Sequence, residues 1–338
     1  MNQSGNFKPF KPILKWVGGK TQILDKILDE FPKEINNYHE LFLGGGGGGV
    51  LLGLLSLINN NTIRLTGKIY VYDINEPLIY VYKNIQRTPD ELYNQLTVII
   101  TEYNNCEEDE KTQVIRKPRT LEEAKLSKEN YYYWSRQKYN NLSSDEKKDV
   151  TGSALFIFLN KTCFRGVFRL GPNGFNVPYG NYKNPEIVNR DHLTIIHNLI
   201  QPVIFNYSDF RNSFQEILSS RFSEKDYVYL DPPYAAETST SFVNYTENGF
   251  DISFHNDLFK FIHICTDKNI RLMMSNADVN LIRENFLENK YLINSIICKR
   301  SINSKKPNSK TREVIIKNYI NLGFEKNKIR IFSRIMNT

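Results

Sequence analysis

Four residues, Asp231-Pro232-Pro233-Tyr234, put a carboxylate, two residues without N–H groups and a phenol ring at one point of the chain. They follow the apolar run YVYL and so sit at the exit of a predicted strand. Proline fixes φ and stiffens the turn. That stiffness holds the Asp231 carboxylate and the Pro232 carbonyl as two acceptors close together. An exocyclic amine offers two N–H donors to such a pair, and Tyr234 offers a flat face for the base that carries the amine. With its hydrogens drawn aside, the amine nitrogen turns its lone pair toward an electrophile. The plain alternative is a Pro-Pro turn after an edge strand.

Three more strand exits carry groups suited to a ligand. Glu40 opens ELFLGGGGGGV, where a short strand runs through glycines into an apolar helix-like stretch. Glycine lets a ligand approach the backbone because no Cβ obstructs it, and the helix start supplies free N–H donors. The run lacks the spaced fingerprint of a dinucleotide turn, and a low-complexity loop expansion is the bland alternative. Asp73, ending IYVYDIN, can accept from the two hydroxyls of a ribose; it can equally be a solvent-facing acid beside a helix cap at Asn75. Asp209, in FNYSDF, can bond an adenine amino group or cap a helix. Ligands of open α/β sheets bind beyond the C-terminal ends of the strands, which makes these four exits the candidate site.

The elements that must position them follow from periodicity. TQILDKILDEF has helical spacing of its apolar residues, PLIYVYKNI reads as a helix starting near Pro77, and SFHNDLFKFIHICTDKN as another. IYVYDIN, DYVYLDPPY, IRLMMSN and VIIKNYI read as strands; LTIIHNLI and VIFNYSDF are helix or strand candidates. From Pro89 to about Asp149 the chain is polar, charged and helical in character. TGSALFIFLN is apolar again, and GPNG between two strand-like runs predicts a hairpin or ordered loop. Strands alternating with helices indicate an α/β sheet, with the middle segment inserted into it.

Composition excludes some classes and admits others. With 338 residues, 40% of them hydrophobic, the chain can bury a sizeable core. A formal charge of +7 suits a nucleic-acid binder and many enzymes alike. Cysteines at 106, 163, 265 and 298 show neither zinc spacing nor a disulfide framework, which predicts no metal and a reducing compartment. No apolar run has signal or membrane-spanning length, so the expectation is a soluble intracellular protein without a membrane partner.

Taken in order, KWVGGK (15–20), ELFLGGGG, DIN, SDF, DPPY, and the stretches LNKTCFRGVFRLGPNGFNVPYGNY, SFVNYTENGF, MMSNAD and RSINSKKPNSKTREVIIKNY resemble the Dam-type (D12 class) site-specific DNA adenine-N6 methyltransferases. The likeness touches most of the chain and is weakest from about 89 to 130. It implies a Rossmann-like S-adenosylmethionine-dependent methyltransferase sheet with an inserted, mainly helical target-recognition domain and hairpin. Residues 1–88 and 196–338 would form the catalytic domain. Residues 89–195 would form the recognition region, with the hairpin or loop near 161–182.

The resemblance implies S-adenosyl-L-methionine as cofactor, S-adenosyl-L-homocysteine as product, and no metal. Lys20 would face the cofactor's carboxylate and Trp16 would pack near its methionine end, core packing being the alternative for Trp16. Glu40, Phe42, Gly44 and Gly46 belong to the glycine motif; Asp73 would take the ribose, and Asp209 with Phe210 the cofactor adenine. Asp231, Pro232, Pro233 and Tyr234 would hold a target adenine flipped out of double-stranded DNA, whose N6 attacks the sulfonium methyl directly. Two departures stand out: Leu41 replaces a frequent proline, and the glycine run is long.

DNA contacts are expected from Lys161, Arg165, Arg169 and Asn173 around the turn-rich segment, with a surface-charge alternative for each of the three cations. Arg165 stands where many relatives have asparagine, which predicts a shifted target preference. A second basic group, Lys299, Arg300, Asn303, Lys305 and Lys306, continues to Lys310 and Arg312 and would clamp the DNA backbone. A monomer or weak dimer in a bacterial cytoplasm or virus-infected cell is expected, with a separate cognate restriction endonuclease as a possible companion. The rival functions are an amino-cytosine (N4) DNA methyltransferase and a catalytically weak DNA-binding relative.

Overall fold

The central strands alternate their side chains between two apolar layers, and that alternation sets the architecture. Val71, Tyr227, Tyr229, Met273 and Ile315 join one buried cluster, whereas Tyr72, Val228, Leu230, Leu272, Met274, Val314 and Ile316 join another. A period of two places successive residues on opposite faces of a sheet, so a sheet with both faces buried needs helices on both sides. The computed structural model describes residues 10–45, 49–107, 112–235, 250–299 and 310–320, with 299 and 310 described through their backbone alone.

In chain order, α1 (Leu24–Asp29) precedes β1 (Glu34–Ile35), β2 (Tyr38–Glu40), α2 (Val50–Asn59), β3 (Arg64–Leu65), β4 (Ile69–Asp73) and α3 (Glu76–Arg87). A helical excursion follows: α4 (Pro89–Asn104), α5 (Leu121–Lys125), α6 (Lys128–Asn141) and α7 (Val150–Thr162), then a small hairpin of β5 (Leu170–Gly171) and β6 (Gly174–Phe175), and α8 (Arg190–Leu199). The chain then returns through β7 (Val203–Tyr207), α9 (Phe210–Ser219), β8 (Tyr227–Leu230), α10 (Ile252–Asp267), β9 (Arg271–Ala277), α11 (Asn280–Asn285), β10 (Leu292–Lys299) and β11 (Lys310–Lys317).

The seven-stranded sheet has the order β10-β11-β9-β8-β2-β4-β7. The five strands from β9 to β7 pair in parallel, while β11 is antiparallel to both β9 and β10. The first helices and the excursion bury their apolar faces with one layer, and α9 to α11 with the other. This is a mixed α/β fold with a central sheet and a helical insertion.

Local sequence explains the elements that flank the site. Asn75 caps α3 by accepting from the Leu78 N–H, with Pro77 in the first turn, where a missing N–H costs nothing. The helix then buries Leu78, Ile79, Val81, Tyr82 and Ile85, each worth roughly 1.5–3 kcal/mol when fully removed from water. The run TGSALFIFLN becomes α7, buried almost all round because α3, α4 and α6 pack against it. The GPNG segment forms the turn of the β5–β6 hairpin, with Gly174 at φ +89°. Of the two ambiguous segments, LTIIHNLI lies in α8 and VIFNY is β7.

Candidate active site

The sheet order turns four separated sequence motifs into neighbours. Strands β8, β2, β4 and β7 are adjacent and parallel, so Asp231, Glu40, Asp73 and Asp209 emerge side by side along one edge. Strand β2 is the branch point, with one parallel neighbour on each side. That is the position at which ligands of open α/β sheets lodge.

At Glu40 the carboxyl is fully buried. Tyr38 donates its hydroxyl to Oε2 at 2.8 Å, and Oε1 is buried without a partner among the described residues. Burial pushes the carboxyl up to about 8, with the Tyr38 hydrogen bond pulling the other way. A buried polar atom lacking a partner is costly, and a polar ligand lying against this strand end would supply one.

Asp73 is braced by backbone. Gly44 and Asn75 donate their N–H groups to its two oxygens, each at 2.8 Å. Burial raises it to about 6 while those amides oppose the rise. Asn75 is also the helix cap, so the cap and a buried acid coexist in this turn. Above it, Gly44 has φ +54° and Gly45 lies flat on Trp16: a Cβ built at Gly45 would come within 2.4 Å of the Trp16 Cβ. The glycines here are required by that close approach. Gly46 lies outside the described residues. Trp16 stacks on Phe168 at 6.1 Å, joining the glycine turn to the segment before the hairpin.

Asp209 caps α9, accepting from the Arg211 N–H at 2.8 Å, with the Arg211 guanidinium 3.8 Å away. The cap alternative for this residue is therefore realised in the geometry. Beside it, Phe42, Phe210, Phe250 and Phe254 form a ring cluster with centroids 5.4–6.4 Å apart. Phe42 is half-buried and offers an apolar wall at the same strand edge.

Asp231 is held by side chains from distant parts of the chain. The Lys20 ammonium, itself buried, lies 2.8 Å from Oδ1, and the Ser275 hydroxyl donates to the same oxygen at 2.8 Å. Among the described residues no hydrogen bond reaches Oδ2. Burial raises the Asp231 pKa above the ordinary carboxylate range, and Lys20 opposes that rise. Lys20 also donates to the Gly18 carbonyl and stands 4.5 Å from the Tyr234 ring centroid. The Tyr234 hydroxyl donates to Glu313 on β11 at 2.8 Å, and Asn276 accepts from the Ala235 N–H at 3.0 Å. Lys20, expected to face a cofactor carboxylate, thus touches the DPPY turn directly.

Ser275, Asn276 and Glu313 went unassigned in the sequence. Their signal was present for the first two: Ser275 and Asn276 are polar residues inside a buried, otherwise apolar strand. Buried polar groups need partners, and here the partners are the DPPY turn and Tyr229, whose hydroxyl lies 3.2 Å from the Ser275 hydroxyl.

The basic residues divide. Lys161 is buried and lines a cleft with Lys11, Glu186 and His192; burial lowers it to about 8, with Lys11 and Lys15 adding to the effect. Arg165 is exposed at φ +59°, a strained conformation for a residue with a side chain. Its N–H donates to the Tyr182 hydroxyl. Arg169 is exposed and pinned to Asn176 through Nε at 2.7 Å, and Asn173 is exposed in the hairpin turn. The Lys299 side chain, Arg300, Asn303, Lys305 and Lys306 lie outside the described residues. Among the described residues no group of three or more His, Cys, Asp or Glu could hold a metal, and no helix is long and apolar enough to cross a membrane. All four cysteines are free and buried.

A two-faced α/β sheet with acids at four adjoining strand ends has a methyltransferase-like frame. The chain belongs to the family of D12 class N6 adenine-specific DNA methyltransferases, whose model matches residues 16–302. It is 34% identical over 318 residues to the type II methyltransferase M.MjaIII of Methanocaldococcus jannaschii, an alignment covering 91% of this chain and 99% of that protein. It is 28% identical over 316 residues to the type II methyltransferase M1.LlaDCHI of Lactococcus lactis subsp. cremoris, covering 92% and 96%. A DNA adenine methylase of Haemophilus influenzae is 29% identical over 284 residues, covering 81% and 82%.

Proposed function

We propose that this chain methylates N6 of an adenine extruded from double-stranded DNA, at specific sites, using S-adenosyl-L-methionine. The observation that carries the proposal is the asymmetry of Asp231: Oδ1 is taken by Lys20 and Ser275, whereas no hydrogen bond reaches Oδ2 among the described residues. A carboxylate oriented through one oxygen presents the other to a donor. Asp231 Oδ2 and the Pro232 carbonyl would accept the two N–H groups of the target amine, and Tyr234 would stack on its ring.

The residues present suit the cofactor. Glu40 has a buried oxygen without a partner among the described residues, and Gly45 leaves no room for a Cβ beside Trp16. Asp73, Glu40, Trp16 and the Phe42–Phe210 wall would hold it, and it would supply an electrophilic methyl group when bound. Asp209 would meet its adenine from the cap of α9. The protein's own part is to select the extruded base, exclude water around the amine and fix its lone pair. No cysteine lies in the DPPY turn, and direct transfer needs no covalent enzyme intermediate. A duplex base cannot reach this edge without leaving the stack. Arg165, Arg169 and Asn173, exposed before and within the hairpin, would contact the DNA, with Lys161 beneath them.

The test is transfer of labelled methyl groups to DNA of varied sequence, followed by digestion to nucleosides. Label in N6-methyladenine within one sequence context is the expected result. Label in N4-methylcytosine, or none in DNA, would overturn the proposal.

A further inference from the structure

Tyr234 cannot hold its ring in place through the turn alone, because the phenol's position also depends on where its hydroxyl is anchored. That anchor is Glu313, the fourth residue of β11, whose Oε2 accepts from the Tyr234 hydroxyl at 2.8 Å. Strand β11 is antiparallel to β9, and the register sets Glu313 opposite Ala277, immediately after the Ser275–Asn276 pair that bonds Asp231 and Ala235. Thus β9 orients the acid and the backbone of the turn, while β11 orients the ring. Glu313 is half-buried, and its carboxylate is close enough to Asp231 to raise that residue's pKa. Both groups are half-buried, and the acid is aimed at the phenol rather than at water. Burial also drives the Tyr234 phenol well above its ordinary pKa, so it stays a donor.

We infer that Glu313 is a positioning residue for methyl transfer, acting through Tyr234: it fixes the plane on which the target base stacks and so sets the angle of the exocyclic amine at Asp231. The inference rests on the function proposed above. A hydrogen bond to a charged acceptor is stronger than a neutral one, and a small rotation of the stacking plane misaligns the amine. The effect belongs to the oriented complex rather than to DNA affinity, so it should appear in kcat.

The experiment is steady-state methylation of a duplex carrying the target site by the unaltered chain, Glu313→Ala, Glu313→Gln, Tyr234→Phe and the Glu313→Ala/Tyr234→Phe double variant. Glu313→Ala should lower kcat about tenfold, the size of one lost charged hydrogen bond, with the KM for DNA within about twofold. Glu313→Gln keeps an acceptor oxygen and should recover most of that loss. Tyr234→Phe removes the same bond from the other end, so it should match Glu313→Ala, and the double variant should be no slower than either. Unaltered kcat in Glu313→Ala, or losses that multiply in the double variant, would overturn the inference. If Glu313→Ala does not fold, Tyr234→Phe alone decides: kcat equal to the unaltered chain overturns it. Absence of adenine methylation by the unaltered chain would instead overturn the proposed function, and the inference with it.

Discussion

Asp73 and Asp231 end strands on either side of β2, yet they are built in opposite ways. Asp73 takes both of its bonds from backbone N–H groups, one in its own turn and one in the glycine turn next door. Among the described residues Asp231 takes its bonds from two side chains, Lys20 near the start of the chain and Ser275 on β9, and both fall on one oxygen. Backbone amides cannot swing away, so the first acid is fixed and also fixes the glycine turn. Side chains can be removed by substitution where backbone cannot, so the second acid's orientation can be taken apart one partner at a time. The difference separates an acid whose place is set by the backbone from one whose place is set by buried side chains.

The sharpest way to break that contrast is to remove each acid. Asp231→Ala should lower methyl transfer by about a thousandfold, as loss of an oriented catalytic acceptor commonly does, while calorimetry finds cofactor affinity largely kept. Asp73→Ala should do the reverse, weakening cofactor binding about a hundredfold, since two amides lose their acceptor as well. Equal effects of the two variants on binding and turnover would erase the division.

Glu40, between them, gives a pH test of the buried edge. Its carboxyl is raised to about 8, so folding favours the protonated form. The stabilisation is complete below the ordinary value of 4.5 and is lost as the pH climbs through about 8. Glu40→Gln is neutral throughout. It should match the unaltered protein near pH 4.5 and be more stable by about 2 kcal/mol at pH 6, with the gap widening toward pH 8, in urea unfolding without cofactor. The smallest effect belongs to Ser275→Ala, which removes one of the two bonds on Asp231. A loss of roughly fivefold in kcat is expected for a single hydrogen bond, with Lys20 still in place; a loss as large as that of Asp231→Ala would show that Ser275 does more than orient.

How much of this was legible in the sequence follows from the same division. The strands ending at Asp73 and Asp231 were readable because apolar runs of β-branched and aromatic residues bounded by turn residues announce buried strands. The cap at Asn75, the hairpin at GPNG and the glycine turn were readable because each depends on residues a few positions apart. The pairing of Lys20 with Asp231 was not, since only the sheet order brings them together. Glu313 was hidden for the same reason: nothing in TREVIIK says which strand face meets a phenol. Lys161 read as one more cation, yet burial places it in a cleft, because α7 is enclosed by three other helices. The Asp209 alternatives could not be separated in sequence, as a cap and a ligand acceptor call for the same residue.

The excursion between β4 and β7 leaves through α3 and returns through α8, and its two ends are stitched together. The Gln86 amide donates to the carbonyls of Ile200, Gln201 and Val203, and the Gln201 amide donates back to Gln86. Departure and return points that already touch add little closure entropy whatever the length between them. The sheet can therefore carry differently sized excursions on one unchanged doorway, a layout that tolerates exchange of a contiguous block of sequence.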